Sequence, residues 1–283
     1  MGLGGYLTWT AAVREISENK LDDDTKIVPC EMHGDQVTKI VKSPIFENNP
    51  YVYNENTDSE KKKFLLPMNL HETNYCKKDT PTRAYQRYDK HIIEQICEYY
   101  GIDNPDLRCE LYFTEQEKSK VSEILERLPK RFIVIEPHSK QNYTPNRRYP
   151  FEKWQKVVNS LKNDIDFVQV GRPGQRVLDN VHSLLGEVTF REAAIVIQNS
   201  DLFVSTEGGL GHAANAVRKK SVIVLTGYQG YDMVAYPDNV NVDISTHGPC
   251  GLKVDCAECK ADADNHDESE IIYNIRKCLE LCK

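Results

Sequence analysis

Apolar residues in this chain follow two rhythms, most clearly after Arg131. Phe132–Ile135 is a short unbroken apolar run, the pattern of a strand buried on both faces. Phe151, Trp154, Val157, Val158 and Leu161 then recur at helical spacing. Phe167–Val170 reads as a second strand. Gly171-Arg-Pro-Gly174 follows as a tight turn into a helix whose stripe is Val177, Val181, Leu184 and Leu185. Thr189 and Glu192 form a capping box that opens a helix through Ile197. Leu202–Ser205, Ala213–Val217 and Val222–Leu225 continue as strand, helix and strand. Strands of this length alternating with helices predict an α/β fold with a parallel sheet covered on both faces.

Before Arg131 the pattern is less regular. Thr10–Ile16 reads as helix, Lys26–Cys30 as strand, and Asn54–Lys63 as a polar loop. Ile92, Ile93, Ile96, Cys97 and Tyr100 share one helix face that Gly101 stops. Thr114-Glu-Gln-Glu117 caps a further helix carrying Val121, Ile124, Leu125 and Leu128. The domain boundary therefore falls within 105–130, and the chain divides into residues 1–115 and 116–283.

Composition sharpens this picture in two places. The 283 residues carry 36 Lys+Arg against 43 Asp+Glu, a net charge of −7. Lys253–Glu270 alone holds seven acids and two lysines, so the rest of the chain is nearly neutral. That balance argues against a nucleic-acid binder. No run reaches the ~18 apolar residues of a membrane span, and the first residues lack the basic start of a secretory signal. Nine cysteines, an odd number, fit a reducing cytoplasm better than a closed disulfide framework.

Ligands of a doubly wound sheet bind beyond the carboxyl ends of its strands, and three such loops carry chemistry. The first holds Glu136-Pro-His-Ser-Lys140 and Arg147-Arg-Tyr-Pro-Phe-Glu-Lys-Trp154, hydroxyls and cations that suit a phosphate beside a helix start. A solvated basic loop has the same composition. The second, Gly171–Gly174, is weak evidence alone. The third is Thr206-Glu-Gly-Gly-Leu-Gly-His212, where glycines admit a ligand to the backbone, Glu207 could hold sugar hydroxyls and His212 could reach a phosphate. A flexible turn with a half-buried histidine is the plainer alternative.

These residues resemble the ADP-heptose:lipopolysaccharide heptosyltransferases, glycosyltransferase family nine, over nearly the whole chain. Gly2–Glu15 is similar to the family's opening glycine loop and first helix, and Asn48-Asn-Pro-Tyr-Val52 to its NPYV segment. Arg147–Trp154 resembles its K-x-W-P-x-x-x-W element, and Ser205–His212 its D-[ST]-G-x-x-H element. The resemblance implies a GT-B fold of two facing Rossmann-like domains with parallel sheets, acceptor side first and donor side second. It implies inverting transfer of a sugar from an ADP-, GDP- or UDP-linked donor to a glycan or glycolipid acceptor at the cell surface, with no cofactor required for transfer. Ser139, Lys140 and Arg147 would contact the diphosphate, and Glu207, Gly208, Gly209 and His212 would line the nucleotide-sugar pocket. The expected setting is cytoplasmic, without nucleic acid or a membrane span but compatible with peripheral membrane association.

Two departures stand out. The family's general base is an Asp after the opening glycines, and the matching acceptor-side position, next to Gly4, is Gly5, which cannot take a proton. A strand expected before that loop has no counterpart, so either residues upstream are missing or the N-terminal domain lacks its first strand. His33, His71 and Glu72 are possible replacement bases, and nothing in the sequence selects one. A catalytically impaired relative that binds a nucleotide sugar or a protein partner is therefore the alternative. A nucleotide-sugar 2-epimerase of the same fold fits the order of the motifs less well.

The tail adds Cys250-x5-Cys256-x2-Cys259, with His247 before it and His266 and Cys278 after it. This set suits a structural zinc. Reduced thiols and a disulfide remain open, and Cys278 and Cys282 share one face of a last helix.

Overall fold

A computed structural model of the chain describes residues 1–140 and 143–280. Cys282 lies outside them. The first half opens with α1 (Leu3–Lys20), longer than the predicted helix at both ends. It continues through β1 (Thr25–His33), β2 (Gln36–Ile40), β3 (Lys62–Pro67), the hairpin of β4 (Cys76–Asp79) and β5 (Ala84–Gln86), and α2 (Ile92–Tyr99). The small sheet runs β2-β1-β3. β1 and β3 are parallel, as the resemblance implies, whereas β1 and β2 are antiparallel. Only Gly34-Asp35 separates β1 from β2, and a two-residue connection closes an antiparallel hairpin but never a parallel crossover. Helix α3 (Glu115–Glu126) starts at the predicted Thr114–Glu117 capping box.

The second half follows the predicted rhythm. It comprises β6 (Phe132–Glu136), α4 (Phe151–Leu161), β7 (Asp166–Gln169), β8 (His182–Ser183), α5 (Phe190–Asn199), β9 (Leu202–Thr206) and α6 (Gly209–Ala216). The chain then forms β10 (Ser221–Leu225), α7 (Tyr231–Val234), β11 (Val240–Asp243), α8 (Ala257–Asn265) and α9 (Ser269–Cys278). All pairings in the six-stranded sheet are parallel, in the order β11-β10-β9-β6-β7-β8. Ile133, Ile135, Leu202, Val204, Val222 and Val224 face Trp154, Leu161 and Ile275 of α4 and α9. Val134, Phe203 and Ile223 face the other way, into a cluster shared with α1, α2, α5 and α6.

One expectation fails. The stripe Val177, Val181, Leu184 and Leu185 is not a helix, and Gly171–Gly174 does not lead into one. The Gln169 side chain, buried at the end of β7, donates to Arg176 O and accepts from Leu178 N–H, which holds this stretch extended. Asn180 and Gly186 both take positive φ, and Val177 is exposed. Apolar spacing here reflects a strap laid across the sheet edge rather than one helix face.

The two halves share one apolar cluster and are tied by buried arginines. Arg191 of α5, 4% exposed, grips Glu117 of α3 with bonds of 2.6 and 2.8 Å and donates to Pro44 O and Tyr112 O. Arg14 of α1 likewise donates to Asp106 O and Arg108 O in the segment linking the halves. No described helix is long and apolar enough to cross a membrane. Breaking a buried pair from one side strands the other charge. Arg191→Met should therefore destabilise the protein by about 3–5 kcal/mol in urea denaturation, and adding Glu117→Gln should recover part of the loss.

Candidate functional site

In the large sheet the strand order reverses between β6 and β9. At such a switch point the connections leave in opposite directions and open a crevice beyond the carboxyl ends. The β6 and β9 loops, which hold most of the candidate residues, flank that crevice.

Two helix starts meet there. Gly208 is the N-cap of α6 and Gly2 that of α1, and neither helix has a side-chain cap. The first amides of each helix lack intrahelical acceptors and present positive dipole ends. A Cβ on Gly4 would stand 2.9 Å from Gly209 Cα and 3.2 Å from His212 Cδ2, so only glycine lets the helices approach so closely. Lys140 reaches the same place, for a Cβ on Gly2 would lie 3.4 Å from its ammonium nitrogen. Gly4, Lys140, Gly209 and His212 are thus brought together from distant parts of the chain. Gly5 lies in the same first turn of α1 and supplies no side chain.

Beneath this junction lies a buried ion pair. Arg147 Nε is 3.6 Å from Glu207 Oε1, and the guanidinium stacks 4.8 Å from the centre of the Tyr228 ring. Another guanidinium nitrogen donates to Gln229 Oε1. Arg147 Nε and both Glu207 oxygens are buried without a hydrogen-bond partner. Burial pushes the Glu207 carboxyl up to about 7, and the Arg147 charge only partly opposes this. Buried polar atoms are rarely left unmade, so these three have the capacity to bond a polar group that enters the crevice. Tyr228 and Gln229 were not singled out in the sequence. Their signal is the loop Gly227-Tyr-Gln-Gly230, which follows β10 at the same sheet end.

His212 sits in the first turn of α6, with Nδ1 2.6 Å from Tyr236 Oη. That phenol oxygen is 3.3 Å from Cys109 Sγ, and the His91 ring lies 4.9 Å from the Tyr236 ring. Desolvation, aided by Arg147, lowers the His212 pKa to about 4, so the ring is neutral near pH 7. Ser139 lies elsewhere. Its hydroxyl is buried without a partner, and it lines a cavity of about 330 Å³ with His138, Arg148, Tyr149 and Cys256, to which neither Arg147 nor Glu207 contributes. His33 is exposed, and His71 bonds Lys77 O at 2.9 Å.

The cysteine tail lines the cavity beside Ser139. His247 Nε2, Cys256 Sγ and Cys259 Sγ lie within 4.8 Å of one another, and Cys250 Sγ is 3.4 Å from Cys259 Sγ. Asp262 fixes His247 through Nδ1 at 2.8 Å. His266 bonds Tyr149, and Cys278 packs against the α4–α9 core, so both lie outside this group. Asn146, beside Arg147, donates to Leu252 O and Val254 O and accepts from Cys256 N–H. The β4–β5 hairpin docks on the same loop, where a Cβ on Gly251, at φ +60°, would strike Ala84 O at 2.5 Å.

Comparison with known proteins adds the family. The chain is similar in fold to the glycosyl transferase family 9 protein of Veillonella parvula DSM 2008, at 12% identity, with 99% of this chain and 94% of that one covered and a TM-score of 0.65. It is similar to the iron-containing dodecameric glycosyltransferase TibC of enterotoxigenic E. coli H10407, at 13% identity, 100% and 75% coverage, and a TM-score of 0.65. Similarity to E. coli ADP-heptose lps heptosyltransferase II, at 16% identity and a TM-score of 0.53, covers 68% of this chain and 62% of that one. The chain thus spans less than two thirds of that heptosyltransferase's length. No curated protein matches the sequence. The model of glycosyltransferase family 9 (heptosyltransferase) matches residues 78–253. The β6 and β9 loop motifs and the unpartnered Arg147–Glu207 pair all fall within this matched stretch, and the chain belongs to that glycosyltransferase family.

Proposed function

We propose that the protein transfers a sugar, with inversion, from a nucleotide-activated donor to a glycan or glycolipid acceptor of the lipopolysaccharide type. The observation that carries this reading is the meeting of two uncapped helix starts at the sheet's switch point. Their amides, with Lys140, offset the charge on a bound and departing nucleoside diphosphate. The Arg147–Glu207 pair would take hydroxyls of the donor, whose oxygens can satisfy both unpartnered groups at once. One of the relatives, TibC, has been seen in complex with ADP-D-beta-D-heptose, which makes an ADP-linked donor the first to try. Residues 1–115 would hold the acceptor and 116–283 the donor. A cytoplasmic setting belongs to the same reading.

Gly5 favours a second reading, binding without transfer, because the first turn of α1 offers no carboxylate. Product formation from donor and acceptor separates the two.

For the tail, the residues fit a structural metal: His247, Cys256 and Cys259 converge, Cys250 lies against Cys259, and the Asp262 carboxylate orients the imidazole. We propose zinc, held by His247, Cys250, Cys256 and Cys259, whose bonds would stabilise a loop with little core of its own. Iron, which TibC contains, is the competing occupant.

Three outcomes follow. In calorimetry, ADP, GDP or UDP and their sugars should bind the wild type, with Glu207→Ala and Arg147→Ala weakening the sugar-linked forms about ten- to a hundredfold. Failure of all of them to bind ends the donor reading. Because the folded Glu207 pKa is about 7 against 4.5 for the free group, the carboxyl costs stability as it ionises. Wild type should therefore lose up to ~3 kcal/mol relative to Glu207→Gln between pH 4.5 and 7, and no more above it. Elemental analysis of protein purified without chelator should find about one equivalent of zinc, lost in Cys259→Ser. Well under one equivalent of any metal overturns the site, and one of iron replaces zinc.

A further inference from the structure

We propose that Tyr236 is a positioning residue that locks His212 as a neutral imidazole with its proton on Nε2, and that Cys109 sets the direction of this relay. What the Nε2–H would meet, an anionic phosphate oxygen, rests on the donor reading above. The relay itself rests on the contacts and burial of these side chains and is independent of that reading.

Three polar side chains form a line inside the joint between the halves. Cys109 belongs to the segment linking them, Tyr236 follows α7, and His212 lies in the first turn of α6. Tyr236 Oη is the middle atom, 3.3 Å from Cys109 Sγ and 2.6 Å from His212 Nδ1. A phenol has one hydrogen to give, a neutral imidazole one donor and one acceptor, and a thiol is a weak donor and a weak acceptor. Two arrangements are open. Either the phenol donates to the sulfur and His212 Nδ1–H donates to the phenol, or the thiol donates to the phenol and the phenol to Nδ1. The second places the strong donor on the strong acceptor, at a length usual for O–H donation, and leaves the weak thiol its weak role. It leaves the proton on Nε2.

The surroundings keep this line neutral. Burial lowers His212 to about 4 and raises Cys109 to about 12, and Tyr236 is raised well above its usual value. His91, across the Tyr236 ring, is lowered to about 3 and accepts Ile93 N–H on its own Nδ1. Arg147 adds positive potential, as does the start of α6. Among the described residues no carboxylate bonds either the His212 or the Tyr236 side chain. An imidazolium is therefore disfavoured, and the ring is a fixed dipole rather than a charge.

Nε2 has no partner among the described residues, and the adjacent Cδ2 faces Gly4 at the start of α1. A neutral N–H there donates to an anionic oxygen without having to gain or lose a proton. Neutral histidines at helix starts serve other enzymes as electrophiles in this way.

The test is the tautomer of His212 in the full chain labelled with 15N-histidine, read by long-range 1H–15N correlation at pH 7 and assigned with His212→Asn. The Nε2–H form is expected in the wild type and a mixture in Tyr236→Phe. An Nδ1–H form or an imidazolium in the wild type overturns the proposal, as does a tautomer unmoved by Tyr236→Phe. If that variant fails to fold, the wild-type tautomer still decides. With ADP as probe, the Nε2–H resonance should shift, Tyr236→Phe should weaken binding about tenfold, and His212→Asn should keep more affinity than His212→Ala. Absence of ADP, GDP and UDP binding would count against the donor reading, while the tautomer result would still judge the relay.

Discussion

The architecture depends on a contact between two backbones. Gly4 in α1 and Gly209 in α6 lie so close that a single methyl group on Gly4 would force the helices apart. Each helix belongs to a different half, and each starts without a side-chain cap. The contact therefore does two things. It seats α1 on the apolar layer of α5 and α6, which makes one continuous core from Leu7 to Ile223. It also turns two sets of unsatisfied amides toward the same small volume. A serine or aspartate cap on either helix would satisfy the amides locally and remove the anion site.

A second layer of support comes from the tail. Arg147 stacks on Tyr228, and the neighbouring Asn146 is bound to the Leu252–Cys256 backbone on three sides. The loop that carries Tyr228 is pinned by Cys250 N–H to Gly227 O and by the β4–β5 hairpin through Gly251. The guanidinium is thus held by a segment with scant apolar core: among the described residues its cluster buries Tyr228 and three cysteines, with Tyr143 and Leu252 packed against them. Metal–thiolate bonds would suit that place because hydrophobic area is lacking there. The acidic residues of the tail have mixed duties: Asp262 orients His247, while Asp264 pairs with Lys260 at the surface.

Much of the large sheet was legible because its strands are buried on both faces. Phe132–Ile135 and Val222–Leu225 admit no other reading as apolar runs of that length, and the Thr189–Glu192 box marks its helix unaided. The strap after β7 was misread because Val177, Val181, Leu184 and Leu185 imitate a helical stripe. The deciding group is the side chain of Gln169, a tertiary bond that spacing cannot report. The same limit governs the site. Glu207, His212 and Arg147 stand out by motif. Their partners are distant in sequence: Tyr236 is 24 positions from His212, Gln229 is 82 from Arg147, and Cys109 is 127 from Tyr236, all joined only by packing.

The charge inventory of the junction limits what kind of ligand it can prefer. Arg147 lies against Glu207, which offsets its charge to the extent that the carboxyl is ionised, and His212 is neutral, so of the candidate residues Lys140 is the cation without an acidic neighbour among the described residues. A bare diphosphate would meet amide dipoles and one mobile cation, which favour it modestly. A diphosphate bearing a sugar can also put hydroxyls between Arg147 and Glu207 and satisfy three buried atoms that otherwise carry a desolvation penalty. Under the proposed function, selectivity for an intact nucleotide sugar over its nucleotide product would follow from the buried pair rather than from total charge. On the same proposal that ordering would suit turnover, since loss of the sugar would remove the hydroxyl contacts and leave the product to the dipoles and Lys140.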